Sequence, residues 1–360
     1  MESAIPTCDT GKPNSNVHIR RTGINPNCWY MIAKSSEVGQ QPVKREIWRQ
    51  SVVLFRTAKG ELHALEDRCA HRFVSLSFGR VIQDRIECAY HGWQFNGAGQ
   101  CVYIPTLSAK PSLPNCRVRS FPLVEKHGFV WIFPGDPQLS HTVAPMEMKE
   151  WDDISEIPSV AKLTCRAHFS YLVENLMDMY HGSLHAQYQV WTAQALQGVL
   201  QSENQVTATY QATTYYRVKS LWSIFQLAIP SLRKLHSAPL TVTYDYPNWK
   251  ARLGDDFRIY CVICPVNERL TEAYLIHYTS IGKFRAMNHL PTAARRLLRR
   301  ALNNVAQKLL TNLVRQDVLM IEDEQRAFDE SSLRQPFEVN LTIHRVQQLM
   351  RRQAAEERLL

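Results

Sequence analysis

No stretch of this chain is apolar for long enough to cross a bilayer. The longest, residues 221–230, is broken by Ser223 and Gln226, whereas a spanning helix needs about 20 predominantly apolar residues. The first 25 residues also lack an apolar segment behind a basic one, so no secretory leader is expected and a cytoplasmic location is. Cysteine supplies no disulfide framework, because nine is an odd number and the spacings are not compact. Acidic residues fall short of basic ones, 33 against 42, for a formal net charge of +9. That balance admits nucleic acid, an anionic membrane surface or an acidic protein as partner. No nucleic-acid-binding module is legible, which removes the first. At 360 residues, 45% of them hydrophobic, the chain is long enough for two domains with sizeable cores.

Two short loops carry chemistry: Cys69-Ala70-His71-Arg72 and Cys88-Ala89-Tyr90-His91-Gly92-Trp93. Each offers one thiolate and one imidazole. Together they suit a Rieske [2Fe–2S] cluster, with Cys69 and Cys88 on one iron and His71 and His91 on the other. Imidazole ligation raises the potential above that of an all-cysteine cluster. With nine Cys and 13 His in the chain, chance produces such a pair of loops about once in a thousand chains of this length. A Cys2His2 zinc site uses the same donors and is the competing reading.

Around these ligands stand Leu76-Ser77-Phe78-Gly79, Gly92-Trp93-Gln94-Phe95, Gly99-Gln100-Cys101-Val102-Tyr103-Ile104-Pro105 and Gly128-Phe129-Val130-Trp131-Ile132-Phe133. With Arg72 and the two loops, these stretches resemble the Rieske non-haem iron aromatic-ring-hydroxylating oxygenases, specifically their large, catalytic (alpha, terminal oxygenase) subunit. Ala70 and Ala89 depart from the pattern, standing where the family often has proline. Their effect is a slightly looser loop in the unfolded chain, with no ligand touched. Respiratory Rieske proteins carry one more Cys in each loop; neither loop here does, which favours the oxygenase type.

Between residues 28 and 133, short apolar runs separated by turn signals at Lys59-Gly60, Asn96-Gly97 and Pro134-Gly135 predict an antiparallel β domain. Past 135–145, strand-like runs mix with helical ones, an α+β pattern. The expected organisation is a mobile polar arm over 1–25, a Rieske domain over 26–140 and a catalytic domain over 141–360. The resemblance implies that the last is a helix-grip (START-like) fold, a curved antiparallel sheet holding a deep apolar pocket. His63 and His127 have no Cys at ligand spacing and read as ordinary histidines. Cys261-Val262-Ile263-Cys264 lies in a β-branched run, where residues three apart face opposite sides, so it reads as core and not as a redox pair.

A second stretch, Asn175-Leu176-Met177-Asp178-Met179-Tyr180-His181-Gly182-Ser183-Leu184-His185, suggests another metal. On a continuous helix Asp178, His181 and His185 share one face. Two imidazoles on one face, with a carboxylate from elsewhere, form the 2-His-1-carboxylate triad that leaves Fe(II) open positions for O2. The family's N-x-x-D-x-x-H pattern followed by a second His matches Asn175, Asp178, His181 and His185. Residues 315–325 resemble its late E-D-x-x-x-I-E-x-x-Q segment, with Gln316 in place of the Glu. That alignment makes Asp317 the third ligand and Glu322 a non-ligand and assigns Gln316 no role, while Asp323 and Glu324 crowd the same region. The resemblance further implies that Asp178 links His181 to a cluster histidine, His91, of a neighbouring subunit in a ring of three. Asn175 is carried over as a site residue.

The implied activity is that of a terminal oxygenase. Electrons pass from NAD(P)H through a separate reductase, a ferredoxin or both, to the cluster and then to a mononuclear Fe(II), where oxygen from O2 enters an apolar organic substrate. A single chain and the late acidic segment lean towards monooxygenation or demethylation over dioxygenation. The alternative is a Rieske electron carrier whose second domain only binds a partner. The substrate itself is not legible; Trp191, Leu221, Trp222, Phe225 and Leu227 are candidate pocket walls. Over 293–314, Leu298, Leu302, Val305, Leu309 and Leu313 recur at helical spacing, with Arg295, Arg296, Arg299, Arg300 and Lys308 largely outside the stripe. This basic helix is either scaffold or a docking face for an acidic donor or a peripheral membrane contact.

Overall fold

In the computed structural model, residues 18–107, 113–153, 156–185, 191–215, 230–232, 234–254, 257–280, 292–331 and 337–356 are described. Leu221, Trp222, Phe225 and Leu227 lie outside these residues, as do the side chains of the four arginines between 295 and 300.

Ten short strands come first. β1 (Tyr30–Lys34), β9 (Leu123–Lys126) and β10 (Phe129–Ile132) form one antiparallel sheet; β2 (Val43–Ile47), β3 (Gln50–Arg56) and β4 (Leu62–Glu66) form a second. A third contains β5 (Arg80–Ile82), β6 (Arg85–Glu87), β7 (Gln94–Asn96) and β8 (Cys101–Tyr103). Val53, Phe55, Leu65, Leu76, Ile86, Phe95 and Ile104 close a small separate core, and Cys69 and Cys88 are part of it.

Seven longer strands build a fourth sheet: β11 (Glu156–Cys165), β12 (Trp191–Gln201), β13 (Gln205–Thr214), β14 (His236–Asp245), β15 (Asn248–Leu253), β16 (Phe257–Asn267) and β17 (Leu270–Ser280). They pair in the order β11-β17-β16-β15-β14-β13-β12, all antiparallel. β13 shows why they are strands: Val206, Ala208, Tyr210, Ala212 and Thr214 are buried and the residues between them are not, the period of two of a sheet with one covered face. β16 is buried continuously from Cys261 to Val266, with β1, β2 and α1 (Phe169–Met177) packed against it. Cys261 and Cys264 are therefore free core thiols, and burial pushes Cys264 up to about 12. Among the described residues two further helices, α2 (Thr292–Glu330) and α3 (Leu341–Glu356), accompany the sheets of this α+β fold. No helix among the described residues is long and apolar enough to cross a membrane.

The β2-β3-β4 sheet and the seven-stranded sheet are locked together by a hairpin. Trp48 and Arg49, between β2 and β3, both adopt positive φ (44° and 67°) and donate their N–H groups to the Pro265 and Val266 carbonyls of β16 at 2.8 Å. A two-residue turn of that hand matches strand twist, at a strain cost for side chains other than Gly. Trp48 packs edge-on against His168 and Phe169, where α1 begins.

The arm expected over 1–25 is not mobile throughout. Residues 18–25 are packed: Ile19, Arg20, Thr22, Ile24 and Asn25 are buried. Arg20 makes a bidentate pair with Glu174 (2.7 and 2.6 Å), donates to Ser170 Oγ at 2.7 Å and stacks 3.5 Å over the Tyr171 ring. Composition marks this segment as polar, but its arginine finds a largely covered carboxylate on α1 in bidentate geometry, the kind of pairing under which a buried charge is tolerated.

Candidate metal centres

The two ligand loops share one hydrogen-bond frame. The Cys69 N–H donates to the Val74 carbonyl and the Cys88 N–H to the Trp93 carbonyl, while the Cys69 and Cys88 carbonyls accept from Phe73 and Gly92 four residues on. Phe73 (φ 56°) and Gly92 (φ 69°) turn each loop back through the left-handed region. At Gly92 a Cβ would lie 3.0 Å from Pro105 Cγ, so glycine is required there for space as well as for φ. The histidine falls two residues after Cys69 but three after Cys88, so equal frames present unequal spacings.

Cys69 and Cys88 are buried, and burial together with the neighbouring Cys88 thiol pushes Cys69 well above its ordinary value. A thiol raised in this way gives up its proton readily only to a metal cation, which supplies the compensating charge. The His71 and His91 rings lie 4.5 Å apart, and His71 stacks flat on Trp93 at 4.7 Å. His71 Nδ1 is buried without a hydrogen-bond partner, which suits a ligand atom. A tetrahedral zinc with bonds of about 2.0–2.3 Å would draw all four donors to within about 4 Å of one another. Among the described residues the one group of three or more such donors lying within 4.8 Å of one another is His181, His185 and Asp317. The Cys2His2 set is more spread out, as a centre with two metals requires. His91 is exposed, with the exposed Tyr90 ring 3.8 Å from its own.

The second centre is reached by a different path from the continuous helix expected. α1 stops at Met177; Asp178 is extended (φ −86°, ψ 110°), and Tyr180–His185 is a 3-10 turn. The two imidazoles converge because the chain breaks at Asp178, not because they share a stripe. Their rings sit 5.3 Å apart and nearly perpendicular. Asp317 reaches them from α2, with Oδ1 2.9 Å from His185 Nε2 and 3.6 Å from His181 Nε2. His185 Nε2 is buried and not aligned to hydrogen-bond that carboxylate, so both groups address a shared point. Burial lowers His181, assisted by His185 and opposed by Asp317; at His185 the Asp317 carboxylate and Gln316 outweigh burial and raise it.

Asn175 Nδ2 donates to Asp317 Oδ1 at 3.3 Å, placing it beside the triad. Asp178 Oδ1 accepts from Tyr180 N (2.9 Å) and Asn340 Nδ2 (3.1 Å). Glu322 lies elsewhere: it accepts the Arg166 N–H at 2.8 Å, and Gln325 accepts the His168 N–H at 2.9 Å, which fastens α2 to the β11–α1 junction. Asp323 is paired with Arg326 on the surface. The apolar run after Asp317 is half exposed, with Val318 and Ile321 packed but Leu319 and Met320 in solvent, so Asp317 stands at the edge of the buried stripe. Trp191 packs beside the main core at the start of β12. Two residues escaped the sequence reading: Gln316, which faces His185 Nδ1 at 2.8 Å, and Asn340. Gln316 was signalled only by its place next to Asp317, and Asn340 by its capping preference ahead of a helical run.

Comparison with known proteins bears on these geometries. Residues 28–122 match the family model of the Rieske [2Fe-2S] domain. A 4beta-methylsterol monooxygenase of Methylococcus capsulatus is 30% identical over 280 residues, covering 77% of this chain and 74% of that protein. The oxygenase component of dicamba O-demethylase from Stenotrophomonas maltophilia is 38% identical over 158 residues, 43% of this chain and 45% of its own. Crystalline dicamba monooxygenase bound to 3,6-dichlorosalicylic acid superposes with a TM-score of 0.76 at 22% identity, over 94% of this chain and all of that one. The chain belongs to the Rieske-type non-haem iron oxygenases, as an oxygenase component with monooxygenase activity. A mere electron carrier is not favoured, since the second centre would then have no use.

Proposed function

We propose that Cys69, His71, Cys88 and His91 hold the cluster, that His181, His185 and Asp317 hold a mononuclear Fe(II), and that one atom of O2 is inserted into an apolar organic molecule, by hydroxylation or oxidative demethylation. The observation that carries this reading is the convergence of the three second-centre donors within 4.8 Å, on a chain that also carries the cluster loops. When bound, the iron supplies O2 activation. The chain supplies everything around it. His181 and His185 offer neutral nitrogens, Asp317 balances the metal charge, and Asn175 holds the Asp317 oxygen in place.

Asp178 is assigned as the link to His91 of a neighbouring copy. The exposed Tyr180 follows Asp178 by two residues, and the exposed Phe337, Val339 and Leu341 lie within three residues of its partner Asn340; the exposed Phe73 and Tyr90 stand within two residues of His71 and His91. Two different apolar surfaces on one chain make a head-to-tail contact, which closes into a ring when the rotation allows. A homotrimer fits that geometry. Electrons are assigned to an acidic ferredoxin or reductase drawing on NAD(P)H, with the +9 net charge as the attracting field. Unpaired cysteines suit the cytoplasm. The test is turnover with a generic ferredoxin, reductase and 18O2, reading products by mass spectrometry. Product carrying one labelled oxygen is expected; cluster reoxidation with no oxygenated product from any apolar substrate opposes the reading.

A further inference from the structure

α2 grips His185 from two sides with consecutive residues. Asp317 Oδ1 lies 2.9 Å from Nε2, and Gln316 Oε1 lies 2.8 Å from Nδ1. Successive residues on a helix project about 100° apart, so one turn of α2 can reach both nitrogens of one ring. The proton of the neutral imidazole must then sit on Nδ1 and be donated to Gln316. Placed on Nε2 it would be buried with no aligned acceptor, because the nearby carboxylate does not have hydrogen-bond geometry. The side chain that fixes this tautomer is a neutral amide, where the segment this stretch resembles has Glu.

We propose that Gln316 is the positioning residue that sets the tautomer and donor strength of His185, and that its neutral amide makes this ligand a weaker donor than a carboxylate partner would. The proposal rests on His185 and Asp317 being ligands. A partner on the far nitrogen of a metal-bound histidine orients the ring and raises its basicity, and loss of such a partner typically lowers metal affinity by about 10- to 100-fold. An amide orients as well as a carboxylate does but withdraws less of the N–H proton, so less electron density reaches Nε2.

The holoprotein, stripped of labile metal by a mild chelator with its cluster intact, is dialysed against Co(II) and the bound metal counted. Gln316→Leu should weaken Co(II) binding by about 10- to 100-fold, while Gln316→Glu restores it and exceeds wild type. The melting temperature and the reduced-cluster paramagnetic signal serve as folding controls and should stay put. Wild-type affinity in Gln316→Leu, or loss in Gln316→Glu equal to that in Gln316→Leu, overturns the proposal. Asp317→Ala run alongside separates the two layers: if it binds Co(II) as wild type does, the ligand set is wrong, whereas its loss beside an unchanged Gln316→Leu isolates the failure to Gln316.

Discussion

His168 shows how strongly one buried side chain can answer to pH. It caps α1, accepting the Ser170 N–H at Nδ1, and its Nε2–H donates to the Thr22 carbonyl at 3.0 Å. Burial, with Arg20 and His18 adding, lowers it from 6.5 to about 3. A folded value below the unfolded one means the unfolded chain takes up the proton first as pH falls. The contribution is complete above pH 6.5 and is lost progressively towards pH 3, amounting to about 2 kcal/mol by pH 5. His168→Asn keeps a capping oxygen and removes the titration, so its stability should fall less steeply between pH 6.5 and 5 in denaturant melts. An unchanged slope would put the acid sensitivity elsewhere. The ligands and His168 differ in how far sequence exposes them. Cys69, His71, Cys88 and His91 are legible as proposed ligands because a metal dictates residue type at short spacing. The roles of His168, Gln316 and Arg20 depend on partners 131 to 157 residues away, which no local pattern records.

Among elements, α3 acts on the second centre through its cap. Asn340 Oδ1 accepts the Thr342 N–H at 3.0 Å while its Nδ2 donates to Asp178. Asn340→Ser retains a capping hydroxyl, so stability should change by less than about 1 kcal/mol, yet Asp178 loses a donor that fixes its rotamer. Single-turnover reoxidation of the reduced cluster should slow in Asn340→Ser and slow by orders of magnitude in Asp178→Asn, with both metals retained. Normal coupled reoxidation in Asp178→Asn would remove Asp178 from the route. The continuous helix over 178–185 fails here for a physical reason: spacings of three and four mark neighbours on a helix, but nothing local shows that the chain leaves helical φ/ψ at Asp178. By contrast β13 and β16 were readable as strands, the one by alternation and the other as a continuous apolar run.

For the molecule as a whole, the exposed apolar residues near Asp178 and near the cluster loops make a prediction about the proposed assembly. Phe337 is 94% exposed and Phe73 is 71% exposed in the single chain, far beyond what a lone subunit gains from either. If the proposed ring forms, Phe337→Glu and Phe73→Glu, on opposite sides of the proposed contact, should each reduce the mass measured by light scattering to that of a single chain. Each should also abolish turnover while leaving both metal contents intact. Full-size assemblies in both variants would contradict the head-to-tail ring.

Iron and acid-labile sulfide, counted in wild type and in Asp317→Ala side by side, test the central claim that one chain carries two separate metal centres. The wild-type ratio should be about three irons to two sulfides and the variant ratio about two to two, with the visible and paramagnetic signature of the reduced cluster unchanged. Zinc in place of iron and sulfide, or an iron content that Asp317→Ala does not alter, would contradict it.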